Sequence, residues 1–149
     1  MFKINIAEKN GKTYHLEAEG EELMGKELHN KIEGKDVSSD LSGYEFEITG
    51  ASDSSGFTAM KEVEGIGLKK LLLGYGKAMH RRSKREGKRP VSNFKPEGLR
   101  RRKTVRGRVI SPSIVQINLK ILKEGGKKLS EIFPDQNQPK EKKAEPVAQ

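Results

Sequence analysis

The chain has 149 residues, no cysteine and no tryptophan, and a net charge of +9, with 34% charged residues against 32% hydrophobic ones. That length suits one domain with a modest core and a tail, and the composition excludes a disulfide scaffold, thiolate metal sites and cysteine catalysis. No apolar run approaches a membrane span and the first residues form no signal-peptide core, so the expected location is cytoplasmic.

In chain order, Phe2, Ile4 and Ile6 alternate with Lys3, Asn5 and Ala7. After Asn10-Gly11, Tyr14, Leu16 and Ala18 alternate with His15, Glu17 and Glu19. Period two on both sides of an Asn-Gly turn predicts a β-hairpin with one apolar face. Leu23, Met24, Leu28 and Ile32 fit helical spacing loosely around Gly25, which gives a short helix or a tight turn over residues 21–32. A strand-like run follows at 33–37. Tyr44, Phe46 and Ile48 alternate with Glu45, Glu47 and Thr49 and predict a strand, whereas GASDSSGF, residues 50–57, has the composition of a loop. The apolar run from Leu68 to Leu73, with Lys69 and Lys70 inside it, reads as a strand by its length and its flanking glycines. Residues 105–110 give another strand and Ser111-Pro112 a turn. Val115, Ile117, Leu119 and Ile121 then alternate with polar residues in the strongest period-two pattern of the chain. Residues 127–133 read as one or two helical turns, and the polar, proline-bearing residues from 134 onward as disordered. The expected fold class is mainly β. It is a small β-barrel or half-barrel with one or two short helices, a long basic arm and a disordered tail, with one domain over residues 1–133 and the tail over 134–149.

Every arginine of the chain falls between residues 77 and 108: Arg81, Arg82, Arg85, Arg89, Arg100, Arg101, Arg102, Arg106 and Arg108. With Lys77, Lys84, Lys88, Lys95 and Lys103 they meet only Glu86 and Glu97, a local charge of +12, whereas residues 1–64 carry −7. Such asymmetry is expected when one side of a protein faces a polyanion. Guanidinium is planar, always charged, forks onto phosphate or guanine and stacks on unpaired bases, so its confinement to one window points to nucleic acid. The rival is a merely solvated basic loop, in which lysine and arginine would mix with acids. Gly87, Pro90, Pro96 and Gly98 forbid a continuous helix, so the window reads as an extended arm that orders on its target. The candidate contacts are these arginines and lysines, with Lys69 and Lys70 before them and His80 beside Arg81. Phe94 is a further candidate that either stacks on a base or packs on its own domain.

Nothing in the chain assembles a reaction centre. His15, His29 and His80 lack metal-ligand spacing, Gly65-Ile66-Gly67 has no third glycine for a dinucleotide loop, and acid pairs such as Glu21-Glu22 have no partner group. The expectation is no catalytic residue, no metal, no cofactor, no small-molecule substrate and no membrane contact. A general DNA- or chromatin-binding basic protein is the alternative reading of the same charge.

With GASDSSGF, LKKLLL, RRRKTVRGRVIS and IVQINLKIL in order, residues 1–133 resemble small-subunit ribosomal protein six of the archaeal and eukaryotic type. The resemblance implies a β-barrel structural protein of the small ribosomal subunit, a constituent of the ribosome that supports translation, with ribosomal RNA and neighbouring ribosomal proteins as partners. It assigns the family's basic motif to Arg100, Arg101, Arg102, Lys103, Thr104, Val105, Arg106 and Gly107, and its glycine loop to Gly50, Ser52, Asp53, Gly56 and Phe57. The chain departs from the pattern at Thr58-Ala59, where proline is expected before the methionine, and in a longer arm between Gly76 and Gly98. It ends in a short polar tail instead of the long basic helix of eukaryotic members, which fits an archaeal type.

Overall fold

A computed structural model describes residues 1–19, 21–76 and 97–137, and the backbone of two short strands within the basic window. The strands are β1 (Phe2–Ala7), β2 (Thr13–Ala18), β3 (Lys31–Glu33), β4 (Glu45–Asp53), β5 (Leu68–Leu73), β6 (Arg85–Glu86), β7 (Arg89–Pro90), β8 (Arg101–Arg106) and β9 (Ile114–Lys123). One helical turn, α1 (Leu129–Ile132), and three short 3-10 turns complete the described elements. Five strands form one sheet in the order β2-β1-β9-β4-β3, while β5 pairs with β8 and β6 with β7 in separate two-stranded ribbons. The protein is therefore mainly β, as expected, with few short helices and no closed barrel among the described residues.

The sheet follows from the alternation in the sequence. Phe2, Ile4 and Ile6 of β1, Tyr14 of β2, Phe46 and Ile48 of β4 and Ile117, Leu119 and Ile121 of β9 are all buried on one face. The long strand β9 sits in the middle, parallel to β1 and antiparallel to β4, because its apolar row is the longest and can serve both neighbours. On its outward face Asn118 Oδ1 accepts from Asn5 Nδ2 across on β1 and from Gln116 Nε2 two residues earlier in β9, both at 3.0 Å. Leu23, Leu28, Val37, Leu41, Ile110 and Leu129 from loops and turns close the core against the sheet.

Several boundaries differ from those read in the sequence. The strand expected at 33–37 is Lys31–Glu33, paired with β4, and a 3-10 turn follows over Gly34–Asp36. The expected loop over 50–57 begins later, because Gly50, Ala51, Ser52 and Asp53 continue β4 alongside β9 through register shifts. The strand expected at 105–110 is Arg101–Arg106, four residues earlier, where it pairs with β5. Residues 134–137, expected in the tail, lie against the edge strand β2. There Gln136 Oε1 accepts from the His15 N–H and Gln136 Nε2 donates to the His15 carbonyl, both at 2.7 Å, and Asn137 Nδ2 donates to the Thr13 carbonyl at 2.9 Å.

The loop between the first 3-10 turn and β3 places His29 at a φ of +68°, with its N–H on the Ile48 carbonyl at 2.8 Å. Its Nδ1 lies 2.9 Å from Glu47 Oε1, and this hydrogen bond holds the Glu47 carboxyl below its ordinary value of 4.5. Because the folded value is depressed, the stabilising contribution is full above the ordinary value and is lost as the pH falls through the depressed one. An NMR titration of the Glu47 carboxyl is expected to show a midpoint below 4.5, returning toward it in His29→Ala. An unchanged midpoint in the variant would contradict the assignment.

Candidate nucleic-acid interface

The basic motif divides at Arg106. Residues 106–110 are bonded along both sides to the body of the protein. The Arg106 N–H donates to the Thr58 carbonyl (3.0 Å), the Gly107 N–H to Gly67 (2.9 Å), the Arg108 N–H to Val63 (2.8 Å) and the Val109 N–H to Gly65 (3.2 Å). From the other side, Leu28 donates to the Arg108 carbonyl and Gly25 to the Ile110 carbonyl, both at 3.0 Å. Gly107 is needed here for space. A Cβ at this position would stand 1.9 Å from the Gly65 carbonyl oxygen and 2.5 Å from its carbon.

Below this seam lies an ion pair. Asp53 Oδ2 accepts from Arg106 Nε at 3.1 Å and lies 3.0 Å from Nη2, with side-chain exposures of 4% for Asp53 and 14% for Arg106. The other carboxylate oxygen, Oδ1, accepts from the N–H groups of Ser55 and Phe57 at 2.9 and 2.8 Å, and Arg106 Nη1 donates to the Ile66 carbonyl at 3.1 Å. One carboxylate therefore folds the serine-rich loop onto itself and clamps the base of β8, a two-pronged geometry that guanidinium satisfies and ammonium does not. Arg108 is also engaged by a carboxylate, with its Nε 3.2 Å from Glu27 Oε1.

Beyond the seam, β5 and β8 form a ribbon in continuous antiparallel register, from Leu68 opposite Arg106 to Leu73 opposite Arg101. Opposed residues share a face. Lys69, Leu71 and Leu73 therefore lie with Val105, Lys103 and Arg101, and on this face Val105 is buried and the two leucines are half-buried. The other face carries Leu68, Lys70 and Leu72 with Arg106, Thr104 and Arg102 opposite them; Arg106 at its base is turned to Asp53, and along β5 the face is open, with Leu68 48% and Leu72 60% exposed. Neither strand contains a carboxylate. Lys69, Lys70, Arg100, Arg101 and Arg102 are exposed and Lys103 is half-buried, so six cations share one ribbon. A cluster of this sign on a narrow projection attracts polyanions and holds them through phosphate.

The residues singled out from the sequence therefore fall into three groups. Lys69, Lys70, Arg100, Arg101, Arg102 and Lys103 come together on the ribbon. Arg106 and Arg108 point into the protein's own carboxylates. Arg85 and Arg89 lie in the two-residue strands β6 and β7, whose backbones pair, while Lys77, His80, Arg81, Arg82, Lys84, Lys88, Phe94 and Lys95 lie outside the described residues. The sequence reading missed the clamp of Asp53 on Arg106, and it missed Leu68, Leu72 and Thr104 as members of the cationic face. The even spacing of Leu68, Lys70 and Leu72 was a usable signal for that face.

Sequence comparison places the chain among ribosomal proteins. It is 38% identical over 127 residues to small ribosomal subunit protein eS6 of Methanocaldococcus jannaschii, covering 84% of each chain. It is 39% identical over 137 residues to that of Archaeoglobus fulgidus, covering 89% of this chain and 95% of the relative. The corresponding protein of Methanococcus maripaludis is 37% identical over 125 residues, 83% of this chain and 89% of the relative. The model of the family described as Ribosomal protein S6e matches residues 2–134, and the chain belongs to that family.

Proposed function

We propose that this protein is a structural constituent of the small ribosomal subunit, located on the cytoplasmic ribosome. It binds ribosomal RNA through the β5–β8 ribbon and the basic residues 77–96 between its strands. Neighbouring ribosomal proteins complete its surroundings, and it performs no catalysis. The observation that carries the reading is a ribbon of six cations, with no carboxylate in either strand, whose base is bonded to the body through residues 106–110. The names of the archaeal relatives, each a small ribosomal subunit protein, support the assignment to that particle. Arg106 and Arg108 hold the ribbon's base, whereas Lys69, Lys70 and Arg100 to Lys103 meet phosphate. Residues 1–133, with 134–137 bonded along β2, act as the folded domain that carries this contact.

Arg100, Arg101 and Arg102 are exposed and form no ion pair with a described residue, so their joint replacement by alanine removes charge without disturbing packing. In a salt series with small-subunit ribosomal RNA, the slope of log affinity against log salt is expected to become shallower. The change should be about 2 to 3, taking roughly 0.7 to 0.9 per lost phosphate contact. The circular dichroism spectrum and melting temperature are expected to stay unchanged. Coincident salt series for variant and parent would refute the assignment. Equal affinity of the parent for duplex DNA and ribosomal RNA would favour a general DNA-binding protein instead.

A further inference from the structure

The open face of the ribbon presents a problem that charge alone does not explain. A ribbon that only attracted phosphate would need no large apolar side chains on its exposed side, yet Leu68 and Leu72 are 48% and 60% exposed there. They occupy positions i and i+4 of β5, with Lys70 between them and with Thr104 and Arg102 opposite Lys70 and Leu72. The pattern is apolar, cationic, apolar along one strand, over a span on the order of 13 Å at the usual strand rise. A protein partner's apolar core would favour a contiguous patch, and Lys70 interrupts this one. A surface that itself alternates apolar sugar with phosphate fits the pattern. The minor groove of double-helical RNA is such a surface. It is wide and shallow and lined by ribose and 2′-hydroxyls, whereas the major groove of the same helix is deep and too narrow for side chains to read.

We infer that the open face of the β5–β8 ribbon seats in the minor groove of double-helical RNA, with Leu68 and Leu72 against the ribose walls and Lys70 and Arg102 on the flanking phosphates. Thr104, directly opposite Lys70 and two residues along β8 from Arg102, offers a hydroxyl that can both donate to and accept from a ribose 2′-hydroxyl. The inference rests on the RNA-binding reading above and adds to it the kind of RNA and the face that meets it. Two strands about 5 Å apart make a face narrow enough to lie against a wide, shallow groove.

The test uses the full chain with three probes at matched salt: an RNA duplex long enough to offer two successive minor grooves, the same sequence as a DNA duplex, and a single-stranded RNA. The parent is expected to prefer the RNA duplex to both others. Leu68→Ser together with Leu72→Ser is expected to weaken RNA-duplex binding about five- to tenfold, from lost apolar contact. Its salt slope should not change, since no charge is removed. Both positions are exposed, so the variant's melting temperature should match the parent's. Retained affinity of the serine variant on every probe would overturn the inference while leaving RNA binding in place, and would leave the leucines to a protein neighbour. Equal affinity of the parent for RNA and DNA duplexes would overturn the groove assignment. No RNA binding by the parent at all would sink the functional reading and this one with it.

Discussion

Gly107→Ala is expected to destabilise the protein by at least about 4 kcal/mol, the range reached only when a substitution has a structural cause that cannot relax. The cause is a backbone collision. The added Cβ would stand 1.9 Å from the Gly65 carbonyl oxygen, 2.5 Å from its carbon and 3.0 Å from the Ile66 nitrogen, and no side-chain rotation can relieve contacts with main chain. Moving the 65–67 turn away would break the bond from the Gly107 N–H to Gly67 and that from Val109 to Gly65, so the seam under the ribbon would open. The control lies in the same turn. Gly67 has no positive φ, and a Cβ there meets nothing within 4 Å, so Gly67→Ala is expected to change stability by less than about 1 kcal/mol. Urea unfolding of both variants checks the pair. Similar midpoints would contradict the close approach at Gly107.

Arg106→Met is expected to cost about 3 to 5 kcal/mol, because it leaves the buried Asp53 carboxylate without its cation. Two backbone N–H groups would still serve Oδ1, but Oδ2 would lose both of its guanidinium contacts. Asp53→Asn should also destabilise, through the weaker acceptor and the unpaired guanidinium. The double variant should lose less than the sum of the two, a coupling of the kind seen for residues in one network. Lysine at position 106 should recover only part of the loss, since ammonium cannot bridge Oδ2 and the Ile66 carbonyl together. Under conditions where Arg106→Met remains folded, its salt slope for RNA should equal that of the parent. A shallower slope would place Arg106 among the phosphate contacts and contradict its structural role.

Those two positions also show where the sequence stops being readable. Arg101 and Arg106 are the same residue type five positions apart in one basic motif, yet one is exposed and the other is clamped by a carboxylate that lies 53 residues earlier in the chain. Nothing local to the motif distinguishes them. The strands β1, β2 and β9 were legible because one face of each is buried, and burial imposes the period of two that Phe2, Ile4 and Ile6 or Ile117, Leu119 and Ile121 display. The end of β4 was not, because Gly50, Ala51, Ser52 and Asp53 have the composition of a loop and are held as strand only by their pairing with β9. The start of β8 was hidden for a related reason. Its register is set by β5, and the alternation that would announce it is masked by consecutive arginines. Of the candidate interface, the concentration of charge was plain in the composition, whereas the division between ribbon and seam depends on contacts that only the fold creates.

The most direct measurement is ultraviolet crosslinking of protein to RNA in intact small ribosomal subunits, followed by mapping of the crosslinked peptides. Crosslinks are expected within residues 68–73 and 97–105, on both strands of the ribbon, with none at Arg106. Small subunits that contain the protein but yield its RNA crosslinks only from the β1–β2 hairpin or the acidic residues 33–47, with the ribbon unmodified, would contradict the assignment of the ribbon as the RNA-binding element.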